Sequence, residues 1–349
     1  MTGSSDKLGS AAVAHAAAVT VAVLGAGSWG TALAVLLARN GHRVQLWGHD
    51  PAHIAQIVAT RECAVYLPGV PLPPNIAATS DLNVALSKAD ALVVAVPSHA
   101  FRALIAQVAT IAPTLPLINA TKGFDPGSSR LLHEVHAELR GTAPFMVLSG
   151  PTFAVEVAAG LPTAVTLAGA DADVSARCAK WFHNEYFRVY TSNDVAGVEV
   201  AGATKNVFAI AAGIADGLRF GANCRAALIT RGLAELVRLG EMLGGSRETF
   251  MGLAGVGDLI LTCTEDKSRN RRFGLAVGRG QSVDVALQQI GQVVEGAAAA
   301  REVAQLAQRF SIPMPIVEQV HAVIYQQRDP RVAVRNLLQR APTTEWHGA

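Results

Sequence analysis

A short apolar strand that runs directly into a glycine-rich turn places the strongest constraint on the fold of this chain. Residues 21–30 read VAVLGAGSWG, in which Gly25, Gly27 and Gly30 have the G-x-G-x-x-G spacing. Gly25 permits a tight turn, Gly27 lets the backbone approach a pyrophosphate, and Gly30 lets the next helix pack close to the strand. The N-terminus of that helix offers free N–H groups to phosphates. The pattern predicts a dinucleotide-binding unit without indicating a substrate.

Alternating strand and helix patterns continue from this unit to about residue 194. The predicted strands are Val19–Leu24, Arg43–Trp47, Ala91–Val96, Pro116–Asn119, Met146–Ser149, Thr163–Ala168 and Phe187–Thr191. The predicted helices between them are Gly30–Asn40, Pro51–Thr60, Ser98–Ile111, Ser128–Leu139 and Ala172–Phe182. Short apolar strands separated by helices predict a parallel sheet that is covered on both faces.

The strand pattern disappears after about Asp194. The helices predicted from there are Val195–Ala215, Cys224–Leu243, Arg247–Ala254, Leu275–Gly278, Val283–Gln289, Glu295–Arg309 and Pro313–Tyr325. The predicted fold class is therefore α/β, with an N-terminal Rossmann doubly wound sheet followed by an all-α C-terminal domain. We place the Rossmann domain at residues 19–194 and the helical domain at 195–340. Residues 1–18 are expected to form a disordered extension and residues 341–349 a tail.

The composition excludes several classes of protein. Charged residues make up 16% of the chain and the net charge is +2, which does not favour a nucleic-acid or anionic-membrane partner. The four cysteines form no C-x-x-C pair, so neither a disulfide framework nor a zinc site is expected. Cleavage of the N-terminal apolar stretch as a signal would destroy the glycine-rich motif, and no window is suited to spanning a bilayer. We expect a cytoplasmic protein without membrane insertion.

The end of the second predicted strand departs from the usual dinucleotide-binding pattern. An acidic residue normally stands there and binds the adenosine ribose hydroxyls, but this chain has Gly48, followed by His49 and Asp50. The missing acid removes the usual repulsion of a 2′-phosphate, and His49 could donate a hydrogen bond to one. The cofactor is therefore expected to be NAD or NADP. Asp50 itself is expected to cap the helix that begins at Pro51.

Polar residues follow two further strands, at the edge where ligands bind in a doubly wound sheet. Lys122, in the segment ATKG, could bind a substrate phosphate or lie beside the nicotinamide, and a solvated loop lysine is the alternative. Gly150 and Thr152 could offer a backbone N–H and a hydroxyl to a ligand. A simple helix cap by Thr152 explains that pair equally well.

Lys205 is the sharpest catalytic candidate. It lies within the pattern Val195–Ala215, which is apolar nearly all round and is therefore expected to be buried. A buried lysine is rare, and desolvation or a second cation such as Lys122 would lower its pKa toward neutrality and suit it to acid–base catalysis. A structural ion pair with Glu199 is the alternative, although six residues is a poor helical spacing for it.

Two later segments complete the set of candidates. Asp258 could orient Lys205 or accept a hydrogen bond from a substrate hydroxyl, and a helix cap is the alternative. Ser268, Arg269 and Asn270 belong to the one dense polar cluster, in which an arginine fork beside neutral donors matches a phosphate group. A solvated turn would have the same composition. The cluster is too compact for a nucleic-acid surface.

Several of these segments occur together in one known family. The chain contains, in order, GAGSWGTALA, LWGHDP, VPSH, ATKGF, SGPTFA, KNVFAI, RFGAN, ITRGLAE, GVGDLILTCT, SRNRRFG and GQVVEG. Each motif alone is weak, but their order and spacing are very specific. From about residue 19 to about residue 340, the chain closely resembles the bacterial NAD(P)-dependent glycerol-3-phosphate dehydrogenases.

The resemblance implies reduction of dihydroxyacetone phosphate to sn-glycerol 3-phosphate with NADH or NADPH, which supplies glycerophospholipid biosynthesis. It also implies a homodimer, with substrate binding and dimerisation in the helical domain. Lys205 matches the family's proton donor or acceptor. The matched cofactor positions are Ser28, Trp29, His49, Lys122, Ala154, Arg269, Val293 and Glu295. The matched substrate positions are Lys122, Gly150, Thr152, Lys205, Asp258, Ser268, Arg269 and Asn270.

The expected reaction is hydride transfer from nicotinamide C4 to the C2 carbonyl of dihydroxyacetone phosphate. Lys205 would protonate the oxygen, while Lys122 and Asp258 set its orientation and pKa. No metal is expected, because the lysine ammonium can polarise the carbonyl. Two other functions stay open. A 3-hydroxyacid or phosphogluconate-type dehydrogenase would need a site for a carboxylate, and a non-catalytic dinucleotide sensor would not need a lysine on a buried helix.

Overall fold

The computed structural model of the chain describes residues 17–341. The extension predicted at residues 1–18 and the tail predicted at residues 341–349 lie outside this range, apart from residues 17, 18 and 341. An eight-stranded sheet with its helices occupies the chain up to Ser192, and the elements from Val195 to Leu338 are helical. The predicted fold class, a doubly wound α/β sheet followed by an all-α domain, is confirmed.

The sheet has the strand order β3-β2-β1-β4-β5-β6-β7-β8. The strands are β1 (Thr20–Leu24), β2 (Arg43–Trp47), β3 (Ile76–Thr79), β4 (Ala91–Val94), β5 (Leu117–Asn119), β6 (Phe145–Ser149), β7 (Thr163–Gly169) and β8 (Phe187–Ser192). The order reverses between β1 and β4. In open α/β sheets this reversal opens a crevice at the carboxyl ends of the strands, where ligands bind.

Two features of the sheet differ from the prediction. The sequence missed β3, whose segment IAAT has two alanines and few of the residues typical of strands. The prediction that the whole sheet is parallel was wrong, because β6 pairs with β7 in the antiparallel direction, whereas β7 and β8 are parallel. The connection from β6 to β7 holds only α6 (Ala154–Ala159). At about 9 Å this helix is too short to carry the chain back along β6, so β7 starts at the edge where β6 ends.

Helices cover both faces of the sheet. They are α1 (Ser28–Arg39), α2 (Pro51–Thr60), α3 (Leu82–Leu86), α4 (Ser98–Ile111), α5 (Leu132–Arg140), α6 and α7 (Ala172–Phe182). Alternate residues of β1 enter different cores: Val21 and Val23 pack in the core that includes α1 and α7, and Ala22 and Leu24 pack in the core that includes α4. Burial on both faces explains why the strand is a continuous apolar run.

Local capping decides where several of these helices begin. Asp50 caps α2, since its Oδ1 accepts from the N–H of Ala52 at 2.9 Å, and this confirms the expected cap. The helix predicted from Ser128 begins only at Leu132, because Ser129 has a φ of +54° and Ser128 donates its hydroxyl to Asp125 at 2.6 Å. The short helix α3 was not predicted, and α6 was expected only as a helix that Thr152 could cap, without bounds.

The second half of the chain is a bundle of helices around one core. Its helices are α8 (Val195–Gly217), α9 (Gly221–Met242), α10 (Arg247–Phe250), α11 (Asp258–Thr264), α12 (Arg269–Gly278), α13 (Val283–Ile290), α14 (Glu295–Arg309), α15 (Pro315–Tyr325) and α16 (Pro330–Leu338), with a π-helical turn at Leu253–Gly257. The sequence missed α11 and α16. It also started α12 six residues late, because the cap at Ser268 was not recognised.

Helix α8 forms the centre of this bundle and packs directly on α12. A Cβ at Gly213 or Gly274 would collide with the backbone carbonyl of Arg271 or Ile210, so the two helices meet backbone to backbone. Of the described helices, α8 alone is long and apolar enough to cross a membrane, but 94% of its most apolar window is buried inside the protein. Such burial is typical of the core helix of a soluble protein.

All four cysteines are free thiols.

Candidate active site

A cleft of about 1240 Å³ lies between the carboxyl ends of the strands and the helical half. Most of the residues singled out from the sequence line it. These are Gly25, Gly27, Ser28, Trp29, His49, Lys122, Thr152, Ala154, Lys205, Ser268, Arg269, Asn270, Val293 and Glu295. Gly30, Gly150 and Asp258 do not line the cleft and act from behind its wall, as described below.

The glycine-rich turn leaves room where a dinucleotide would pass. Gly25 has a φ of +125°, and a Cβ there would lie 2.5 Å from the carbonyl oxygen of Ala95. A Cβ at Gly30 would collide with the carbonyl of Gly25, so Gly30 is needed for the contact between helix and turn. A Cβ at Gly27 would meet no atom of the described residues within 4 Å. This open space fits a pyrophosphate group.

The N-terminus of α1 faces the same space. No side chain caps this helix, so the N–H groups of its first turn are available to an anion. Trp29 also contributes a buried indole N–H that has no hydrogen-bond partner within residues 17–341. A buried donor without a partner is uncommon in a native structure. Both features fit a polar ligand bound beside Ser28 and Trp29.

Gly48 is closely packed at the end of β2. A Cβ there would lie 2.8 Å from Ile54 Cδ1 and 3.1 Å from Ala26 Cβ, so a larger residue would require the end of the Ile54 side chain to move. His49 and Asp50 line the cleft next to it. The sequence did not single out His53 and Tyr66, which also line it and stack edge to face at 5.1 Å.

Two lysines that line the cleft meet one buried aspartate behind its wall. Lys205 Nζ lies 2.5 Å from Asp258 Oδ1 and 2.9 Å from Thr262 Oγ1, and Lys122 Nζ lies 2.7 Å from Asp258 Oδ2. Asp258 has no exposed surface, whereas both lysines line the cleft. Its two oxygens are thus occupied by ammonium groups, which favours an orienting role over contact with a substrate hydroxyl. Glu199 pairs elsewhere, so the alternative ion pair with Lys205 is not formed.

Burial and charge tune the two central groups in opposite ways. Desolvation lowers the pKa of Lys205 to about 8; the ammonium of Lys122 adds to the effect, while Asp258 opposes it. Burial alone would raise the pKa of Asp258, but the two ammonium groups outweigh it and hold that pKa below its usual value. Asp258 is therefore a carboxylate, and Lys205 can exchange a proton near neutral pH.

The polar cluster lies at the N-terminus of α12, on another wall of the cleft. Ser268 caps the helix by accepting from the N–H of Arg271 at 3.2 Å. Arg269 donates to Gln292 Oε1 at 3.1 Å, and Asn270 Oδ1 accepts from the N–H of Gly296 at 2.8 Å. A helix N-terminus with an arginine is suited to a phosphate group.

Three further candidates are held by contacts with neighbouring residues. Thr152 donates its hydroxyl to the carbonyl of Gly150 at 3.2 Å and does not cap α6, so the alternative of a simple cap is wrong. Gly150 packs against β7, where a Cβ would lie 2.9 Å from Val165 Cα. Glu295 accepts from Asn206 Nδ2 at 3.4 Å.

The sequence missed Asn206 and Thr262, which also line the cleft. Each had a signal: Asn206 is adjacent to Lys205, and Thr262 is one helical turn after Asp258. Residues 17–341 contain no group of three His, Cys, Asp or Glu side chains that could hold a metal ion.

The chain is similar to known proteins over most of its length. Residues 20–175 match the model of the NAD-dependent glycerol-3-phosphate dehydrogenase N-terminus, and residues 194–335 match that of its C-terminus. The chain is 54% identical to glycerol-3-phosphate dehydrogenase (NAD(P)+) of Nitrosococcus oceani over 93% of this chain and 95% of that protein. It is also 54% identical to the protein of that name from Thioalkalivibrio sulfidiphilus, over 93% and 98% of the two chains.

A solved structure agrees with these sequence matches. The crystal structure of glycerol-3-phosphate dehydrogenase from Coxiella burnetii superposes with a TM-score of 0.91 at 46% identity, covering 93% of this chain and 99% of that one. The resemblance seen in the motifs is thereby confirmed, as is the expected cofactor class, NAD or NADP. The chain belongs to the NAD-dependent glycerol-3-phosphate dehydrogenase family.

Proposed function

We propose that this protein interconverts dihydroxyacetone phosphate and sn-glycerol 3-phosphate with NAD(P)H and NAD(P)+. The observation that carries the proposal is the lysine pair on Asp258: Lys205, with a pKa of about 8, faces the same cleft as the glycine-rich turn. A proton donor beside a dinucleotide site is what carbonyl reduction requires.

The glycine-rich turn and the N-terminus of α1 would hold the pyrophosphate, with Ser28 and Trp29 as direct contacts. We assign the other cofactor contacts to His49, Lys122, Ala154, Arg269, Val293 and Glu295. When bound, the cofactor supplies the hydride that reduces the C2 carbonyl. The open space at Gly27 and the unpartnered indole N–H support this assignment.

Lys205 donates a proton to the carbonyl oxygen as negative charge develops there. Its buried position strengthens this interaction, because few water molecules compete for the oxygen. Asp258 holds the ammonium in place through the 2.5 Å contact, and Lys122 lowers the pKa of Lys205 from the other side. In the reverse direction the neutral amine accepts the proton from the substrate hydroxyl.

The phosphate of the substrate would bind at the N-terminus of α12. Arg269, Asn270 and Ser268 supply a charge and neutral hydrogen bonds there. We assign Thr152 to the opposite wall, where Gly150 supports it from behind by accepting the hydrogen bond of its hydroxyl. Binding the phosphate away from the reacting carbon provides the energy that positions the carbonyl.

The wider assignments follow from the same proposal. Residues 19–194 would bind the cofactor, and residues 195–340 would bind the substrate and form a homodimer. The protein would act in the cytoplasm, without a nucleic-acid partner, and its glycerol 3-phosphate would serve glycerophospholipid synthesis.

A spectrophotometric assay tests the proposal directly. Purified protein is mixed with NADH or NADPH and dihydroxyacetone phosphate, and loss of the reduced cofactor is followed. We expect oxidation that depends on this substrate. A 3-hydroxyacid substrate in its keto form and 6-phosphogluconate with oxidised cofactor serve as comparison substrates. Intact cofactor binding without turnover of dihydroxyacetone phosphate would refute the proposed function.

A further inference from the structure

A buried carboxylate on α8 takes no part in the proposed reaction, yet both its oxygens are engaged. Glu199 is 5% exposed. Its Oε1 accepts from Asn119 Nδ2 at 3.3 Å, and its Oε2 accepts from the N–H of His133 at 3.3 Å and lies 2.6 Å from His133 Nδ1. Since burying a charge is costly without partners, this arrangement has to be accounted for.

One of these partners shapes the turn that carries Lys122. Asn119 is the last residue of β5, and its side-chain amide hydrogen-bonds both the N–H and the carbonyl of Thr121. The Oδ1 atom accepts from the N–H of Thr121 at 3.0 Å, and Nδ2 donates to its carbonyl at 3.4 Å. The hydroxyl of Thr121 also reaches the carbonyl of Val94 at 3.5 Å. The amide therefore fixes the backbone immediately before Lys122.

Glu199 stabilises the orientation of this amide that the turn requires. A carboxylate only accepts hydrogen bonds, so it contacts the NH2 group of Asn119 and excludes the flipped amide. In the flipped orientation the NH2 group would face the N–H of Thr121, and both contacts of the turn would be lost. His133 fixes the carboxylate from the other side, at a position that is partly exposed.

We infer that Glu199 is a positioning residue which, through Asn119, holds Lys122 against Asp258 and beside Lys205. The inference rests on the proposed function, because the position of Lys122 matters to the reaction only if Lys205 transfers the proton. It connects the two halves of the protein: Glu199 and Lys205 are on the same helix of the helical half, and Lys122 follows a strand of the sheet.

The inference predicts the direction in which the pKa of Lys205 changes when Glu199 is replaced. The charged and titratable groups that face it are Asp258 and Cys263 on α11 and Lys122 on the turn after β5. Lys122 lowers the pKa of Lys205, so releasing Lys122 raises that pKa. Removing the negative charge of Glu199 without moving Lys122 would act weakly in the opposite direction. An upward change therefore separates positioning from a long-range effect of charge.

The test compares Glu199→Ala with Glu199→Gln. For each, kcat/KM for dihydroxyacetone phosphate is measured across pH at saturating NADH, with NADH affinity and Tm measured separately. In Glu199→Ala we expect kcat/KM to fall roughly tenfold and the pKa of the profile to rise by about half a unit to one unit. The Kd for NADH should change less than kcat/KM, because the glycine-rich turn is not altered. In Glu199→Gln the amide oxygen still accepts from Asn119, so the pKa of the profile should not rise.

Glu302→Ala is the matched control. Glu302 is also a buried carboxylate of the helical half that accepts from the sheet half, at 2.5 Å from Ser129 Oγ, but it does not contact the turn before Lys122. We expect it to lower Tm without moving the pH profile. Should Glu199→Ala not fold, Glu199→Asp, whose shorter side chain draws the carboxylate away from Asn119, replaces it.

The possible outcomes are distinct. A folded Glu199→Ala or Glu199→Asp variant with the wild-type pH profile would overturn the inference, as would an equal rise in Glu199→Gln or Glu302→Ala. If the wild-type protein turns over no dihydroxyacetone phosphate although it binds NADH, the proposed function fails first.

Discussion

The two walls of the cleft are built on different principles. On the sheet side, the strongest signs of a ligand are backbone features: an uncapped helix N-terminus, a positive φ at Gly25 and the open space at Gly27. On the helical side they are side chains, above all Lys205 on its buried aspartate and Arg269 at the start of α12. From this difference we expect the sheet side mainly to bind the cofactor, and the helical side to bind the substrate and supply the proton donor. Substitutions on the two sides should then change different kinetic constants.

Lys205→Ala should have the largest effect. Loss of the proton donor is expected to lower kcat by roughly 100-fold or more while the Kd for NADH stays close to wild type. Steady-state kinetics and a fluorescence titration measure the two quantities, with the exposed Lys88→Ala as control. Turnover near that of the wild type would remove Lys205 from the chemistry and with it the contrast between the walls.

The pH dependence of reduction should report the same lysine. Lys205 must be protonated to donate, and its pKa is about 8. We expect kcat/KM for dihydroxyacetone phosphate to be level below that pH and to fall about tenfold for each unit above it. For oxidation of glycerol 3-phosphate the dependence on Lys205 is reversed, and activity rises with pH through the same region. If the rates of reduction and of oxidation both rise or both fall with pH through this region, the assignment of Lys205 is contradicted.

Arg269→Ala should mainly affect substrate binding. Losing a charge-assisted hydrogen bond of about 1.5–3 kcal/mol should raise the KM for dihydroxyacetone phosphate by roughly 10- to 100-fold, with a smaller change in kcat. Arg279→Ala, an exposed substitution at the other end of α12, is the control. If the KM is unchanged, Arg269 does not bind the phosphate.

Gly27→Ala tests the sheet side without disturbing the fold. The backbone of Gly27 is extended, and a Cβ there would point into open space, so the variant should be as stable as the wild type. We expect the Kd for NADH to rise about tenfold, since the methyl group takes space meant for the pyrophosphate. Gly30→Ala should behave differently and lower Tm, because its Cβ collides with Gly25. Unchanged NADH affinity in Gly27→Ala would argue against a pyrophosphate at this turn.

His49→Ala should have the smallest effect. If this side chain contacts the 2′-phosphate, the substitution should lower kcat/KM for NADPH by about threefold and leave that for NADH unchanged, as expected for an exposed contact. The ratio of kcat/KM for the two cofactors is the measurement. An equal change with both cofactors would indicate that His49 does not distinguish them.

The contrast between the walls also explains what the sequence could predict. The dinucleotide turn was readable because its chemistry depends on glycines a few residues apart. Lys205 was readable because a charged residue stands out in an apolar helix. The contact of Lys205 with Asp258 was less certain from the sequence, because Asp258 is 53 positions away and only the packing of α11 on α8 brings the two together. The sequence offered Asp258 as one option beside a simple helix cap.

The direction of β7 and the first residues of the helices were harder to predict for a related reason. The reversal at β7 depends on the length of α6, and the late start of α5 depends on local contacts of Ser128 and Ser129. Likewise, the role of Glu199 could not be inferred from spacing, since Asn119 and His133 come from other parts of the chain. Patterns of apolar residues indicate that an element exists, but such contacts decide where it begins.

The glycine contact between α8 and α12 has a consequence for which molecules the cleft can accept. Lys205 and Asn270 lie on two helices whose backbones touch at Gly213 and Gly274. The core of the protein therefore sets the distance between the backbone of the proposed proton donor and that of the proposed phosphate site. A phosphate ester whose carbonyl lies one carbon farther from the phosphate should then bind without being reduced.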